Sequence, residues 1–255
     1  MLKSLKSRCE AQGFVLNGYV TMPSPASTEL YSRQGWDCVT LDMEHGSIGF
    51  DAAVELLRAI AGSGVVPLAR VPRADPTWVS TLLDAGVMGI TAAMIDTAEE
   101  ARRLVAACRY PPRGTRGLSR QCRAAMIYGP DYTQSVDDDL TVFAMVETYT
   151  SLANLEEIVA VDGLDGIYFG GVDYDMSLRR PEAPASAPAV AEARRRVADA
   201  CKRHGLIAGM NASTPAAAKD LLKEGFRFIT LSSDAAAMTT QARNWIAQTR
   251  ELAGQ

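Results

Sequence analysis

Histidine is nearly missing from this sequence: 255 residues hold two, His45 and His204. Cysteines are few and scattered (Cys9, Cys38, Cys108, Cys122, Cys201), with no Cys-x-x-Cys pair. The odd count and wide spacing point to reduced thiols in a cytoplasmic protein. No apolar run approaches the roughly 18 residues of a membrane span. The opening Met1-Leu2-Lys3-Ser4-Leu5-Lys6 lacks the apolar stretch of a signal peptide. A basic excess is also absent, with 26 Lys and Arg against 30 Asp and Glu, a net charge of −4 and a pI near 5.3. Nucleic acid is therefore not expected as a main partner. A small anionic substrate stays open, because it needs only a local arginine.

What is present is an ordinary core-forming composition, 47% hydrophobic and 22% charged. The length suits one large domain spanning 1–255. A helical start over 2–11 leads to a first strand at 14–20, a helix from Pro25 to Gln34, and a second strand ending at Asp42 to His45. Residues 51–61 repeat apolar side chains at helical spacing. A third strand covers 65–72, a helix 78–85, and a fourth strand 87–94. Thr97 and Glu100 have the spacing of a capping box for a helix to Cys108. Residues 110–139 break the rhythm; a connection this long is functional or interfacial, with at most partial helix. Strands follow at 141–147, 166–170, 206–211 and 226–231, separated by helices to Val161, over 190–204, from Thr214, and from about Asp234. Eight short apolar strands, each followed by a helix, make an α/β fold, a (β/α)8 TIM barrel in one domain.

The polar residues sort onto that frame. His45, Arg70, Glu147 and Asp173 fall at or just past the C-terminal ends of the second, third, fifth and sixth strands, the catalytic face of a barrel. Glu147 and Asp173 end consecutive strands. Two neighbouring carboxylates repel unless a cation or proton intervenes, and a hard divalent ion such as Mg²⁺ or Mn²⁺ suits such a pair. The competing reading pairs one carboxylate with an arginine. Asp175, two residues beyond Asp173, is an equal candidate on spacing. His45 can serve as a general base near neutral pH, with a carboxylate such as Asp84 to orient its ring. His204, in the last turn before Gly205, reads as structural. Arg70 ends a buried strand and needs an anionic partner, either a substrate or an internal carboxylate. Arg113 and Arg116 brace the long loop. Ser232, Ser233 and the amides after them are a weak anion candidate.

Leu41-Asp-Met-Glu-His-Gly46, Pro67-Leu-Ala-Arg-Val-Pro72, Leu82-Leu-Asp-Ala-Gly86, Tyr110-Pro-Pro-Arg-Gly-Thr-Arg-Gly117, Val146-Glu-Thr148 and Gly163-Leu-Asp-Gly-Ile-Tyr-Phe-Gly170 follow one another along the chain. In that order, over roughly 14–240, the chain resembles the HpcH/HpaI aldolases, metal-dependent class II pyruvate aldolases. The resemblance implies the following roles. Glu147 and Asp173 bind a divalent cation (Mg²⁺, Mn²⁺ or Co²⁺), which pyruvate chelates through its keto and carboxylate oxygens. Arg70 stabilises the enolate oxygen, and His45, held by Asp84, does the acid–base work. Amides around Gly171 and Val172 receive the carboxylate, beside Asp173. The assembly implied is a homohexamer, a trimer of dimers with C-terminal helices exchanged. The reaction implied cleaves a 4-hydroxy-2-oxo acid to pyruvate and an aldehyde through an enolate. No predicted strand ends in a lysine, which agrees with chemistry that needs no Schiff base.

The sequence departs from the family's pattern at Gly170-Gly171-Val172-Asp173, at Tyr174-Asp175-Met176-Ser177 and Arg179, at Ala92-Ala93-Met94, at Met145, and in the loop from Leu118 to Arg123. The altered segment 171–179 keeps two alternatives in view. One is related enolate chemistry on another keto acid, such as oxaloacetate decarboxylation or a citrate-type condensation. The other is a barrel that binds a keto acid or metal without turnover.

Overall fold

The computed structural model describes residues 4–254, so the first part of the helix expected over 2–11 lies outside the described residues. The elements run α1 (Leu5–Gln12), β1 (Val15–Val20), α2 (Pro25–Ser32), β2 (Cys38–Asp42), α3 (Phe50–Ile60), β3 (Val66–Val71), α4 (Pro76–Ala85), β4 (Gly89–Ala92), α5 (Ala98–Cys108), α6 (Arg123–Tyr128), α7 (Tyr132–Asp139) and β5 (Thr141–Val146). They continue with α8 (Tyr149–Ala153), α9 (Leu155–Val159), β6 (Gly166–Phe169), α10 (Gly171–Ser177), α11 (Val190–His204), β7 (Ile207–Asn211), α12 (Pro215–Lys223), β8 (Phe228–Ser233) and α13 (Asp234–Leu252). The eight strands pair in chain order, all parallel, and β1 closes the ring on β8. This is the expected (β/α)8 barrel.

Burial explains the strand sequences. β2, β3, β4, β5 and β6 are buried at every residue, as strands covered on both faces must be. β7 and β8 leave the core at their ends, where the barrel mouth opens. Inside the barrel, the Phe143 and Phe228 rings lie 4.9 Å apart, and Tyr168 meets Phe228 edge-on at 6.0 Å. A polar cluster is buried beside them and satisfied. Asn17 Nδ2 donates to Thr230 Oγ1 at 3.0 Å, and Thr40 Oγ1 donates to Asn17 Oδ1 at 2.8 Å.

Two stretches differ from the expectation. The single helix expected after β5 is broken at Asn154 into α8 and α9, because the Thr148–Ser151 cap closes a first turn that Asn154 ends. Residues 110–139, expected to be helical in part at most, contain two short helices, α6 and α7, whose places were not foreseen. The segment joins a helix to the next strand, so it lies at the end of the barrel opposite the strand C-termini, against the end of α4. It is clasped by arginines: Arg116 pairs with Asp84 at 2.7 Å and lies 4.5 Å over the Tyr110 ring, Arg123 donates to the Ala85 carbonyl at 2.6 Å, and Arg113 pairs with Asp138 at 2.9 Å. Those long-range bonds, absent from any local pattern, stabilise helices of six and eight residues that would not persist alone. Arg113 and Arg116 brace the loop as anticipated. His204 closes α11, 3.8 Å from Glu156, in a structural place. No helix among the described residues is long and apolar enough to cross a membrane.

Gly166 lies between β5 and β7, where a Cβ would run into the Phe143 ring and the Ile207 carbonyl. Backbone on one side and a ring packed against Phe228 on the other leave no room to yield. Gly166→Ala should lower unfolding stability by ~1–3 kcal/mol, read by urea denaturation; an unchanged midpoint would show that the barrel interior tolerates the added methyl.

Candidate active site

β2 ends in a tight turn whose geometry is set by Asp42. Its Oδ1 accepts from the amides of Glu44 at 3.2 Å and His45 at 3.1 Å. The same carboxylate holds Arg70 from β3, with Nε to Oδ1 at 2.9 Å and Nη2 to Oδ2 at 2.7 Å. Asp42 and Arg70 are register partners across the β2–β3 pair, so strand pairing itself brings them together. The guanidinium also lies 3.3 Å from Glu44 Oε2 through Nη1 and 4.5 Å over the Tyr19 ring. Burial works against its charge, but Tyr19, Asp42 and Glu44 more than offset this and hold it above its ordinary value. Arg70 therefore has the internal carboxylate partner considered as the alternative, and it also lines the cavity. Asp42 and Glu44 were not singled out from the sequence. Their signal was adjacency to His45, together with the alignment of parallel strand ends.

His45 is exposed at the mouth, its Nε2 3.8 Å from Glu44 Oε2. The expected contact with Asp84 is not made within the chain. Asp84 sits near the C-terminal end of α4 and pairs with Arg116. Barrel helices run antiparallel to the strands, so the end of a helix and the end of a strand face opposite mouths. Helical position alone, not spacing in sequence, separates Asp84 from His45.

Glu147 follows β5 and is 1% exposed. Its Oε1 accepts from the Met94 amide at 2.6 Å, while Oε2 is buried without a hydrogen-bond partner. A Cβ at Gly170 would run into that carboxylate, so glycine there makes its room. Burial pushes the Glu147 carboxyl up to about 7; the Met94 hydrogen bond opposes this, and the charges of Glu44 and Asp173 add to it. Glu44 is likewise raised by burial, with Arg70 and His45 opposing and Asp42 and Asp173 contributing.

Asp173 lies in the first turn of α10 and lines the same cavity. Gly171 and Val172 open that helix, so their amides have no intrahelical carbonyl to reach. Asp175 is set apart from Asp173 by its ion pair with Arg179 at 2.7 Å; among the described residues no such pair is formed by Asp173. The weak anion candidate at Ser232 and Ser233 is occupied internally. Ser233 Oγ accepts from the Ala236 amide, and the Ala235 amide donates to Asp234.

No cluster of three or more His, Cys, Asp and Glu side chains with metal-ligand geometry occurs among the described residues. The donor set is two carboxylates: Asp173 lines a cavity of about 1380 Å³, and the buried Glu147 carboxylate packs against Gly170, which lines the same cavity. A partnerless buried carboxylate oxygen beside other carboxylates fits a hard divalent ion. Mg²⁺ and Mn²⁺ are commonly bound through one or two carboxylates, the other positions left to water and substrate.

A family model described as HpcH/HpaI aldolase/citrate lyase matches residues 17–240. The chain is 35% identical over 242 residues to a hydroxypyruvate/pyruvate aldolase of Rhizorhabdus wittichii, covering 93% of this chain and 94% of that one. It is 33% identical to a 5-keto-4-deoxy-D-glucarate aldolase of Citrobacter koseri, covering 90% and 89%. A crystal structure of an HpcH/HpaI aldolase/citrate lyase family protein from Burkholderia cenocepacia superposes with a TM-score of 0.85 at 30% identity, covering 93% of this chain and 95% of that one.

An ionised Glu147 is unfavourable in its buried pocket without a cation. Its carboxyl, raised to about 7, is neutral below that pH and ionised above it, whereas the unfolded chain ionises near 4.5. The cost to the folded state therefore grows as pH rises between the two values. Glu147→Gln in cation-free protein should raise Tm at about pH 8, with the gain shrinking toward about pH 5. An equal gain at both ends would rule out burial of the charge as its cause.

Proposed function

This chain belongs to the HpcH/HpaI aldolase/citrate lyase family, and we propose that it is a metal-dependent carbon–carbon lyase that cleaves a 4-hydroxy-2-oxo acid to pyruvate and an aldehyde. The observation that carries this reading is that Arg70, His45 and Asp173 line one mouth and Glu147, packed behind Gly170 of that lining, feels the charges of Asp173 and Arg70 with its Oε2 buried and unpaired. Glu147 and Asp173 would hold the divalent cation, Mg²⁺, Mn²⁺ or Co²⁺. When bound there, it supplies Lewis-acid polarisation of the keto oxygen.

The residues of the chain divide the remaining work. Arg70, locked by Asp42, offers a fixed guanidinium to the oxygen on which enolate charge gathers, and pre-oriented charge of this kind needs no rearrangement during the reaction. His45, exposed at the mouth, takes the proton from the C4 hydroxyl. The C3–C4 bond then breaks, its electron pair passes into the enolate, the aldehyde departs, and C3 regains a proton to give pyruvate. The free amides of Gly171 and Val172 receive the substrate carboxylate. A histidine is suited to both taking and returning a proton near neutral pH.

We also propose a homo-oligomer, a hexamer built as a trimer of dimers, with α13 packed on a neighbouring subunit. In support, α13 buries only Asp234 among its residues and exposes Met238, Trp245, Ile246 and Leu252. Asp84 can assist His45 only if a neighbouring subunit brings it there. Sedimentation should show a hexamer that truncation before Trp245 breaks into smaller species; a monomeric full-length chain would remove this part.

The decisive experiment follows the methyl protons of pyruvate in D2O by NMR. The protein is stripped with EDTA and then given back Mg²⁺, Mn²⁺ or Co²⁺. Exchange should require the cation and be lost in His45→Ala, Arg70→Ala, Glu147→Ala and Asp173→Ala. Exchange that survives stripping, or near-wild-type turnover in the Glu147 or Asp173 variant, would dismiss the cation role.

A further inference from the structure

Among the described residues, Met94 is the one non-glycine residue with a left-handed backbone, at φ 56°. L side chains other than Asn and Asp seldom adopt it, because the Cβ crowds the carbonyl that follows. Met94 stands two residues beyond β4, and its neighbours are tied down on every side. The Ala93 amide donates to the Val71 carbonyl at 3.0 Å, and the Ile95 amide donates to the Met145 carbonyl at 3.2 Å. Asp96 accepts from the Thr148 hydroxyl, its carbonyl accepts from Asn154 Nδ2 at 2.8 Å, and its amide donates to Glu100 Oε2 at 2.9 Å. Strain of this kind persists only where the surroundings over-determine it, and such places cluster at functional sites.

The outcome of the turn is one bond, from the Met94 amide to Glu147 Oε1 at 2.6 Å. Oε2 of the same carboxylate has no partner. We propose that the left-handed turn at Met94 is a positioning device: its amide holds Oε1, so that Glu147 presents Oε2 alone, in one orientation, to the cation. This rests on the reading of Glu147 as a cation ligand. Without that bond the carboxylate could offer either oxygen, and fixing the choice on binding would weaken the affinity. Partners that orient a metal ligand commonly contribute about 10- to 100-fold to affinity. Every residue except proline supplies the same N–H, so identity at position 94 matters through the backbone. Glycine accepts a left-handed φ freely; a β-branched residue does not.

The test is calorimetric titration of Mn²⁺ into the EDTA-stripped full-length protein, with far-UV circular dichroism and Tm recorded for each variant. Met94→Gly should keep the turn and bind within about twofold of wild type. Met94→Val should remain folded yet bind about 10- to 100-fold more weakly. If Met94→Val does not fold, Met94→Thr, also β-branched, takes its place and should bind more weakly than wild type and Met94→Gly. A purely structural role would lower Tm and leave the affinity of the folded protein unchanged. Equal affinities in wild type, Met94→Gly and the valine or threonine variant would overturn this inference alone. A wild type that binds no Mn²⁺ would overturn the cation reading and this inference with it.

Discussion

The Asp42–Arg70 ion pair organises the mouth of this barrel. One carboxylate makes two bonds to the guanidinium and accepts two amides of the turn that follows β2. Removing it would leave a nearly buried cation with only Glu44 beside it, and an uncompensated buried charge is among the costliest defects a fold can carry. Because both residues end neighbouring parallel strands, the pair also ties the position of His45 to the pairing of β2 with β3. A chemical group at the end of a loop is thereby set by the rigid part of the molecule.

The carboxylates oppose that cation unequally. Glu44 lies within reach of Arg70 and His45, whereas Glu147 has the Met94 amide and an unpaired oxygen. Of these two buried or half-buried carboxylates, Glu147 is the one whose charge the protein compensates less, and burial raises its carboxyl. A site that concentrates negative charge beside one locked arginine is poorly balanced alone and well balanced with a divalent cation. The same arrangement suits a substrate in which charge moves onto a keto oxygen, because the compensating charge is already in place.

Several expectations followed from patterns that depend on nearby residues. The Thr97–Glu100 capping box formed as read, since its bonds lie within one turn. The strands matched their apolar runs, since burial on both faces forces such runs. The places of α6 and α7 within a stretch expected to be partly helical could not be read, because the arginine contacts that hold them come from elsewhere in the chain. The pairing of His45 with Asp84 is not made within the chain, because Asp84 ends a helix and His45 follows a strand, and those ends face opposite mouths of the barrel. The left-handed backbone of Met94 had no signal at all, because methionine is not a residue that prefers it.

The sequence by itself determined the barrel, the order of its strands and the placing of His45, Arg70, Glu147 and Asp173 at or just past strand ends. Period, burial and the requirement to close a parallel sheet are properties of the chain's pattern. Only the tertiary structure decided that Asp42 holds Arg70, that Asp175 pairs with Arg179, that Asp84 pairs with Arg116, and that Glu147 keeps one oxygen unpaired. Each of these turns on distances and directions between side chains from different elements, and those exist only once the barrel has closed.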